Sequence, residues 1–177
     1  KFRDEDQVFI PNKYPSDQVS IGSCNGNFVL DDIIKNTSKT LKEFLNIKKT
    51  NYDNLKVKCP KDKKIRNIWL LPSDKVIGKT NPFVDYQNDA TAKDIKLALR
   101  EGFRSIEHVK RYTTTGMGTD QGKLGNMHAL GIIAETAGVK MGELGTTTFR
   151  PPYTPLTFGT IVGRNVGEYF DTFRRTP

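Results

Sequence analysis

The stretch of residues 91–138 reads TAKDIKLALREGFRSIEHVKRYTTTGMGTDQGKLGNMHALGIIAETAG and combines several signals for the start and the end of a helix. Its opening, Thr91-Ala-Lys-Asp94, is typical of a capping box that starts a helix, and Gly102 can stop that helix. Ser105 can cap a second helix, and a third is expected over residues 120–137, apolar on more than one side. A glycine-rich turn separates the second helix from the third. The stretch therefore predicts several helices packed together.

The regions around this stretch differ in character, and together they predict an α+β chain. A mainly helical domain covers residues 81–145. Residues 1–46 begin with short strands joined by loops and end in an amphipathic helix at 29–46, whose apolar positions form one continuous stripe. Residues 47–80 are a lysine-rich linker. Residues 146–177 are rich in Thr and Pro, which favour extended chain over helix.

Composition excludes several classes of protein. The 177 residues are 36% hydrophobic, which is enough for a core. The longest apolar runs, such as 68–71, fall far below the ~20 residues that span a bilayer, although this run can form a strand of the linker. Cys24 and Cys59 cannot make a disulfide framework, and His108 and His128 have no cysteine near them. We therefore expect no membrane span and no metal site.

The net charge of +8 gives a pI near 9.5, which is compatible with a basic nucleic-acid-binding protein. The excess is uneven, with +6 in residues 1–80 and +2 in residues 81–177, and it consists mostly of scattered lysine. A nucleic-acid surface normally clusters its basic side chains on one face. We therefore expect no nucleic-acid partner and keep that class as an alternative.

A turn with two glycines, Gly22-Ser-Cys-Asn-Gly26, leads from a strand-like segment into the amphipathic helix. This is the layout of a phosphate-facing turn in nucleotide-binding folds, because backbone N–H groups at a helix start attract anions. It lacks the G-x-G-x-x-G fingerprint, so an ordinary strand–helix turn is the alternative. Cys24 at this helix start is either a reactive thiol or a small packing residue.

Residues 110–123, KRYTTTGMGTDQGK, form the segment with the densest polar chemistry. Two adjacent cations, three consecutive hydroxyls and several glycines surround the junction between two predicted helices. Such a composition can hold a phosphate, since cations, hydroxyls and backbone amides are all anion ligands. Alternatively, Thr and Gly simply make the turn and the cations are solvated.

Three long segments resemble the alpha subunit of heterotetrameric sarcosine oxidase: FVDYQNDATAKDI at 83–95, REGFRSIEHVKRYTTTGMGTDQGK at 100–123 and GTTTFRPPYTP at 145–155. Residues 1–46 resemble the end of that subunit's dinucleotide-binding domain, and the 47–80 linker matches only loosely. The resemblance implies four parts, namely the C-terminal end of a dinucleotide-binding domain (1–46), a linker (47–80), a helical middle domain (81–145) and the start of an aminomethyltransferase-like folate domain (146–177).

The resemblance also implies an activity and partners. The complex is expected to demethylate sarcosine oxidatively, using oxygen and tetrahydrofolate and forming glycine, hydrogen peroxide and methylenetetrahydrofolate. FAD is expected on the beta subunit, flavin mononucleotide at the alpha/beta interface, and tetrahydrofolate on the remainder of the folate domain. The other partners are the gamma and delta subunits, and the expected location is the cytoplasm. The two ends of this sequence read like cuts through a longer polypeptide, so we expect the fragment itself to be inactive.

Two groups of residues are implied as cofactor contacts, and none as catalytic. In the intact protein, NAD is expected to border the glycine turn and the residues after it: Gly22, Ser23, Gly26, Phe28 and Leu30. The beta subunit with flavin mononucleotide is expected to face the polar segment: Lys110, Arg111, Thr113, Thr114, Thr115 and Gln121.

The middle domain further resembles the small iron–sulfur domain of bacterioferritin-associated ferredoxin and of related dehydrogenases. In that pattern four cysteines hold the cluster, and the corresponding residues here are Asp85, Gln87, Asp120 and Gly125. Cysteine thiolates are the usual cluster ligands, so the resemblance implies a domain without an iron–sulfur cluster.

Three hypotheses remain open on the sequence. The chain is a piece of the sarcosine oxidase alpha polypeptide, a non-catalytic docking module of a related amine or proline dehydrogenase complex, or a basic nucleic-acid-binding protein.

Overall fold

The computed structural model describes residues 1–14, 17–50, 55–59, 67–151, 154, 156–164 and 167. The chain divides into two compact units. Unit 1 consists of Lys1–Ile68 with Val139–Glu143, and unit 2 consists of Trp69–Gly138 with Leu144–Pro177. The expected α+β class is confirmed, because small sheets and helices both occur. The four-part domain division stays a prediction.

Unit 1 contains a short hairpin and one long helix. Strand β1 (Phe2–Arg3) pairs antiparallel with β2 (Val8–Phe9), and the rings of Phe2 and Phe9 lie 4.9 Å apart. A 3₁₀ turn at Gly22–Asn25 precedes helix α1 (Leu30–Leu45), which confirms the predicted helix at 29–46. Residues 19–21, expected to be a strand, have irregular backbone.

Helix α1 buries very little of its apolar stripe. Of its sixteen residues only Ser38 is buried, and its hydroxyl shares a 2.7 Å hydrogen bond with Thr50. Several large apolar side chains in and before the helix are exposed: Phe28, Leu30, Phe44 and Leu45.

Unit 2 is built from a hairpin and three helices. Strand β3 (Phe83–Asp85) pairs antiparallel with β4 (Ala90–Thr91), with an irregular register. Helices α2 (Ala92–Arg100), α3 (Ile106–Thr113) and α4 (Asn126–Ala137) follow, and α2 packs against both of the others. A 3₁₀ turn (Ile77–Lys79) and the short helix α6 (Phe158–Val162) also belong to unit 2, whereas the short helix α5 (Met141–Leu144) lies mostly in unit 1.

The start of α2 follows the capping-box prediction. The Asp94 backbone N–H donates to Thr91 Oγ1 at 3.4 Å, and the Asp94 carboxylate accepts from the Thr91 backbone N–H at 2.8 Å. Ser105 occupies the N-cap position of α3, but its side chain makes no capping hydrogen bond. Both helices therefore start where predicted, and only one of them is capped by a side chain.

Helix α4 forms the centre of unit 2, since its residues from 129 to 134 are all buried. Gly131 makes room for the Trp69 ring, because a Cβ on this glycine would overlap the indole. Residues 68–71, which the sequence allowed to be a strand, do not form one. Trp69 packs against α4 at Gly131.

The predicted start of the third helix at residue 120 is wrong. Gln121 and Gly122 adopt positive φ angles of 50° and 74°, which a right-handed helix does not allow, so residues 119–125 form turns and α4 begins at Asn126. In the tail, α6 lies in a region expected to be extended. Pro152 and Pro155, on which that expectation partly rested, fall outside the described residues.

Candidate functional site

Residues 146–150, which we call the strap, have no regular secondary structure and are hydrogen-bonded to α3. The Lys110 ammonium donates to the Thr148 carbonyl at 2.6 Å, and the Thr148 backbone N–H donates to Glu107 Oε1 at 2.5 Å. Lys110 is only 7% exposed although it carries a charge. One cation and one carboxylate of α3 therefore hold both polar groups of a single strap residue.

The turn between α3 and α4 and the first residue of α4 each hold the strap at one further point. The Arg150 backbone N–H donates to Gln121 Oε1 at 3.1 Å, and Asn126 Nδ2 donates to the buried Thr147 hydroxyl at 2.9 Å. Gln121, expected at the cofactor interface, thus also anchors the strap.

Glu107 is the electrostatic centre of this arrangement. Its carboxylate lies 3.3 Å from the Arg111 guanidinium and 4.0 Å from the Lys110 ammonium. The hydrogen bond from the Thr148 backbone N–H lowers the pKa of Glu107 most, and Lys110 and Arg111 lower it further, whereas partial burial raises it. Arg111 also donates to the Glu107 carbonyl at 3.1 Å. Both predicted interface cations therefore contact Glu107, and Arg111 remains half exposed.

The three predicted threonines separate into an interior pair and an exposed residue. Thr113 and Thr115 are buried and share a 2.7 Å hydrogen bond, and Thr113 also donates to the Val109 carbonyl at 2.8 Å. Thr114 is exposed at φ 60°, and its hydroxyl donates to the Thr113 carbonyl at 2.6 Å. Thr113 and Thr115 therefore stabilise the end of α3.

A cavity of about 40 Å³ lies where α3, the turn and the strap meet. Its lining side chains carry three positive charges, one amide and one thioether: Lys110, Arg111, Met117, Gln121 and Arg150. The structure thus brings together Lys110, Arg111 and Gln121 of the predicted interface residues. Sequence reasoning missed Arg150, although it lies in the third family-like segment directly after Phe149.

The predicted NAD residues lie in unit 1 around the 3₁₀ turn. Gly22 and Gly26 have positive φ angles of 77° and 76°, and Ser23 is exposed, as are Phe28 and Leu30. The Arg3 guanidinium donates to the Gly26 carbonyl and would lie 2.6 Å from a Cβ on Gly26. Arg3 therefore occupies the space beside Gly26, one of the residues expected to border NAD.

The four positions that correspond to cluster cysteines lie around the glycine-bearing turn between α3 and α4. Asp85 is buried, and its carboxylate accepts hydrogen bonds from the backbone N–H groups of Gln87, Asn88 and Gly116 at 2.6–3.1 Å. The Gln87 side chain accepts from the Asp120 backbone N–H at 3.0 Å.

Asp120 in turn accepts from the Gly122 backbone N–H at 3.0 Å, and Gly125 lies against the Val84 carbonyl, 2.6 Å from where its Cβ would be. Carboxylate and amide side chains thus fix the turn through its own N–H groups. Over the described ranges, no group of three or more His, Cys, Asp or Glu side chains is arranged to hold a metal ion.

Within the part of the chain that the structure describes, no helix is both long enough and apolar enough to span a bilayer. The hairpin, the three packed helices and the cationic cavity define a small helical domain with a candidate anion-binding surface. Residues 79–164 match the family model described as the sarcosine oxidase A3 domain. Over these residues the chain is similar to sarcosine oxidase alpha subunits, which confirms the resemblance seen in the sequence.

Curated relatives agree with this assignment. The chain is 48% identical over 124 residues to the sarcosine oxidase alpha subunit of Rhizobium meliloti (strain 1021), and the match covers 68% of this chain and 12% of the relative. It is 45% identical over 116 residues to the sarcosine oxidase alpha subunit of Corynebacterium sp. (strain P-1), covering 63% and 12%. One of the opine oxidase subunits of Rhizobium meliloti (strain 1021) is 34% identical over 73 residues, covering 41% and 16%. The match therefore spans about an eighth of the length of the sarcosine oxidase subunits.

Proposed function

We propose that this chain is part of the alpha subunit of a sarcosine oxidase complex, and that unit 2 docks the flavoprotein beta subunit. The match of residues 79–164 to the sarcosine oxidase A3 domain carries this proposal. That region includes α2, α3, α4, the strap and the cationic cavity, so the proposed docking domain and the candidate anion site coincide.

The proposed complex converts sarcosine, oxygen and tetrahydrofolate to glycine, hydrogen peroxide and methylenetetrahydrofolate. Amine oxidation belongs to FAD on the beta subunit, and folate chemistry belongs to a further part of the alpha subunit. We therefore expect this chain to be inactive alone. The gamma and delta subunits, a cytoplasmic location and NAD at residues 22–30 belong to the same proposal.

Flavin mononucleotide at the alpha/beta interface is compatible with unit 2 through its phosphate. Lys110, Arg111 and Gln121 line a cavity whose walls carry positive charge, and charged hydrogen bonds to phosphate are stronger than neutral ones. Thr114 is exposed and available to a ligand, whereas Thr113 and Thr115 are buried in the domain interior. The flavin would supply electron-transfer chemistry, and this chain would hold the phosphate.

The test is capture of the partner. An affinity-tagged chain is mixed with a sarcosine oxidase beta subunit, and flavin absorbance is measured in the eluate after washing. We expect stoichiometric flavin with the tagged chain and none with an unrelated tagged protein. Equal flavin in both eluates, or none in either, would contradict the docking role.

A second candidate is a docking module of a related amine oxidase or dehydrogenase complex. The similarity of 73 residues to an opine oxidase subunit favours it. The tagged chain is offered a sarcosine oxidase beta subunit and, separately, the other subunit of an opine oxidase, and the flavin captured from each is measured. Capture of the sarcosine oxidase subunit alone supports the first proposal, and capture of the opine oxidase subunit alone supports the second.

Nucleic-acid binding is tested separately by a salt titration against duplex DNA. A protein that neutralises several phosphates loses affinity steeply as salt rises. We expect no such specific, steep dependence here.

A further inference from the structure

We propose that the cavity between α3, the turn and the strap binds the terminal phosphate of a phosphomonoester, and that Arg150 is its third cationic ligand. The family resemblance gives Arg150 no role, and Arg150 belongs to the strap rather than to the segment at 110–121. This inference rests on the proposed function only for the source of the phosphate. Phosphate binding itself is inferred from the residues that line the cavity.

The size of the cavity fits this group. Its volume is about 40 Å³, and a water-sized group needs roughly 10–15 Å³ on the same measure, so it holds roughly three such groups. A phosphomonoester presents three terminal oxygens that accept hydrogen bonds. The volume is too small for a flavin or adenine ring, which would have to lie outside.

The charge of the site fits as well. Three cations line the cavity, and the Glu107 carboxylate contacts two of them, which leaves a net charge of +2. A phosphomonoester carries about −1.5 to −2 at neutral pH. The pKa of Glu107 is lowered by the Thr148 N–H and by the neighbouring cations, so this carboxylate stays ionised and the net charge holds at neutral pH.

Arg150 differs from the other two cations in its contacts. The Lys110 ammonium is bound to the Thr148 carbonyl, and the Arg111 guanidinium is paired with Glu107. Across the described residues, the Arg150 guanidinium has no ion pair, while its backbone N–H is fixed by Gln121 Oε1 at 3.1 Å. A guanidinium on an anchored backbone can bind two phosphate oxygens side by side.

The experiment uses the 177-residue chain and isothermal titration calorimetry with inorganic phosphate at constant ionic strength. We compare Arg150→Gln with Arg104→Gln, which removes the same charge at an exposed position before α3. We expect one phosphate per chain, about tenfold weaker binding in Arg150→Gln, equivalent to about 1.4 kcal/mol, and no change in Arg104→Gln. Arg150→Lys keeps the positive charge but loses the planar guanidinium that can donate two parallel hydrogen bonds. This variant should bind phosphate with intermediate affinity.

No phosphate binding by the unaltered chain would overturn the proposal. Equal weakening by Arg150→Gln and Arg104→Gln would also overturn it, because the effect would then reflect net charge. Thermal melting of both variants checks the fold, and both melting temperatures should stay near that of the unaltered chain because both side chains are exposed.

Two further ligands distinguish the source of the phosphate. Flavin mononucleotide bound more tightly than inorganic phosphate, with the same dependence on Arg150, supports a flavin nucleotide as the source. Equal affinity for the two supports free phosphate. Riboflavin bound as tightly as flavin mononucleotide would overturn the proposal, since riboflavin lacks the phosphate. These titrations need no partner protein, so failure of beta-subunit capture and failure of phosphate binding are separate results.

Discussion

Helices α1 and α2 both carry a clear amphipathic pattern, and yet they bury very different fractions of it. Helix α2 buries Ala92, Ile95, Ala98 and Leu99 against its neighbours, whereas α1 buries only Ser38 and leaves Leu30, Phe44 and Leu45 half exposed. The period of apolar residues predicts that a helix forms. It does not predict whether a neighbouring element covers the apolar side.

Truncation of one leucine in each unit should give the largest difference. Leu130→Ala removes a side chain that is 1% exposed, and we expect a loss of about 2–5 kcal/mol from the free energy of unfolding. Leu45→Ala removes one that is 56% exposed, and we expect a change within about 0.5 kcal/mol. Urea unfolding of both variants, followed by far-ultraviolet circular dichroism, measures this because the signal includes the helices of both units. Similar losses in the two variants would mean that α1 is packed as tightly as α4.

The contact between Gly131 and Trp69 provides the next test of the packing in unit 2. Gly131→Ala places a Cβ against the indole, and we expect a loss of about 1–3 kcal/mol and a red-shifted emission as Trp69 is displaced. Thr136→Ala, at an exposed position of the same helix, is the control and should change neither quantity. An unshifted emission in Gly131→Ala would show that Trp69 does not rest on α4.

A smaller effect separates the two helix starts in unit 2. Thr91→Ala breaks the capping box, and we expect a loss of about 1 kcal/mol. Ser105→Ala should cost less than half of that, because the Ser105 side chain makes no capping hydrogen bond. Urea unfolding of both variants measures the loss in the free energy of unfolding. Equal losses would contradict the difference between the two caps.

The starts of α2 and α4 show how far local sequence patterns predict the structure. Thr91 and Asp94 are three residues apart, so the capping box is visible in the sequence. The start of α4 is not, because it depends on the left-handed backbone of Gln121, a conformation that its side chain does not indicate. Taken alone, the pattern of apolar residues predicts a start of α4 that lies before Asn126.

The candidate site could be predicted only in part, for a similar reason. The cations and the glycine turn are adjacent in sequence and are visible there. The burial of Lys110 depends on Thr148, 38 residues away, and the cavity depends on Arg150 from the same strap. Such long-range contacts follow from how the strap docks, which no spacing rule in the sequence describes.

The smallest expected effect is a dependence on pH. The pKa of Glu107 is lowered in the folded chain, mainly by the Thr148 N–H, so its ionised form stabilises the strap. This contribution is present above the unfolded pKa, which lies near 4.5, and is lost as the pH falls through the lower folded value. Glu107→Gln should therefore flatten the acid side of the stability curve of unit 2. The exposed Glu135→Gln is the control, and an identical flattening by both would contradict the assignment to Glu107.

In our proposal the cations of unit 2 serve a ligand and a partner rather than the fold alone, and replacing Arg111 separates these roles. In the assembled complex, Arg111→Gln should weaken flavin retention about tenfold, since charged hydrogen bonds to phosphate contribute ~1.5–3 kcal/mol. Its partly exposed pair with Glu107 contributes at most about 1 kcal/mol, so the melting temperature should change little. Flavin content and melting temperature are measured on the same preparation, with Arg104→Gln alongside. A lowered melting temperature with the flavin content intact would contradict the claim.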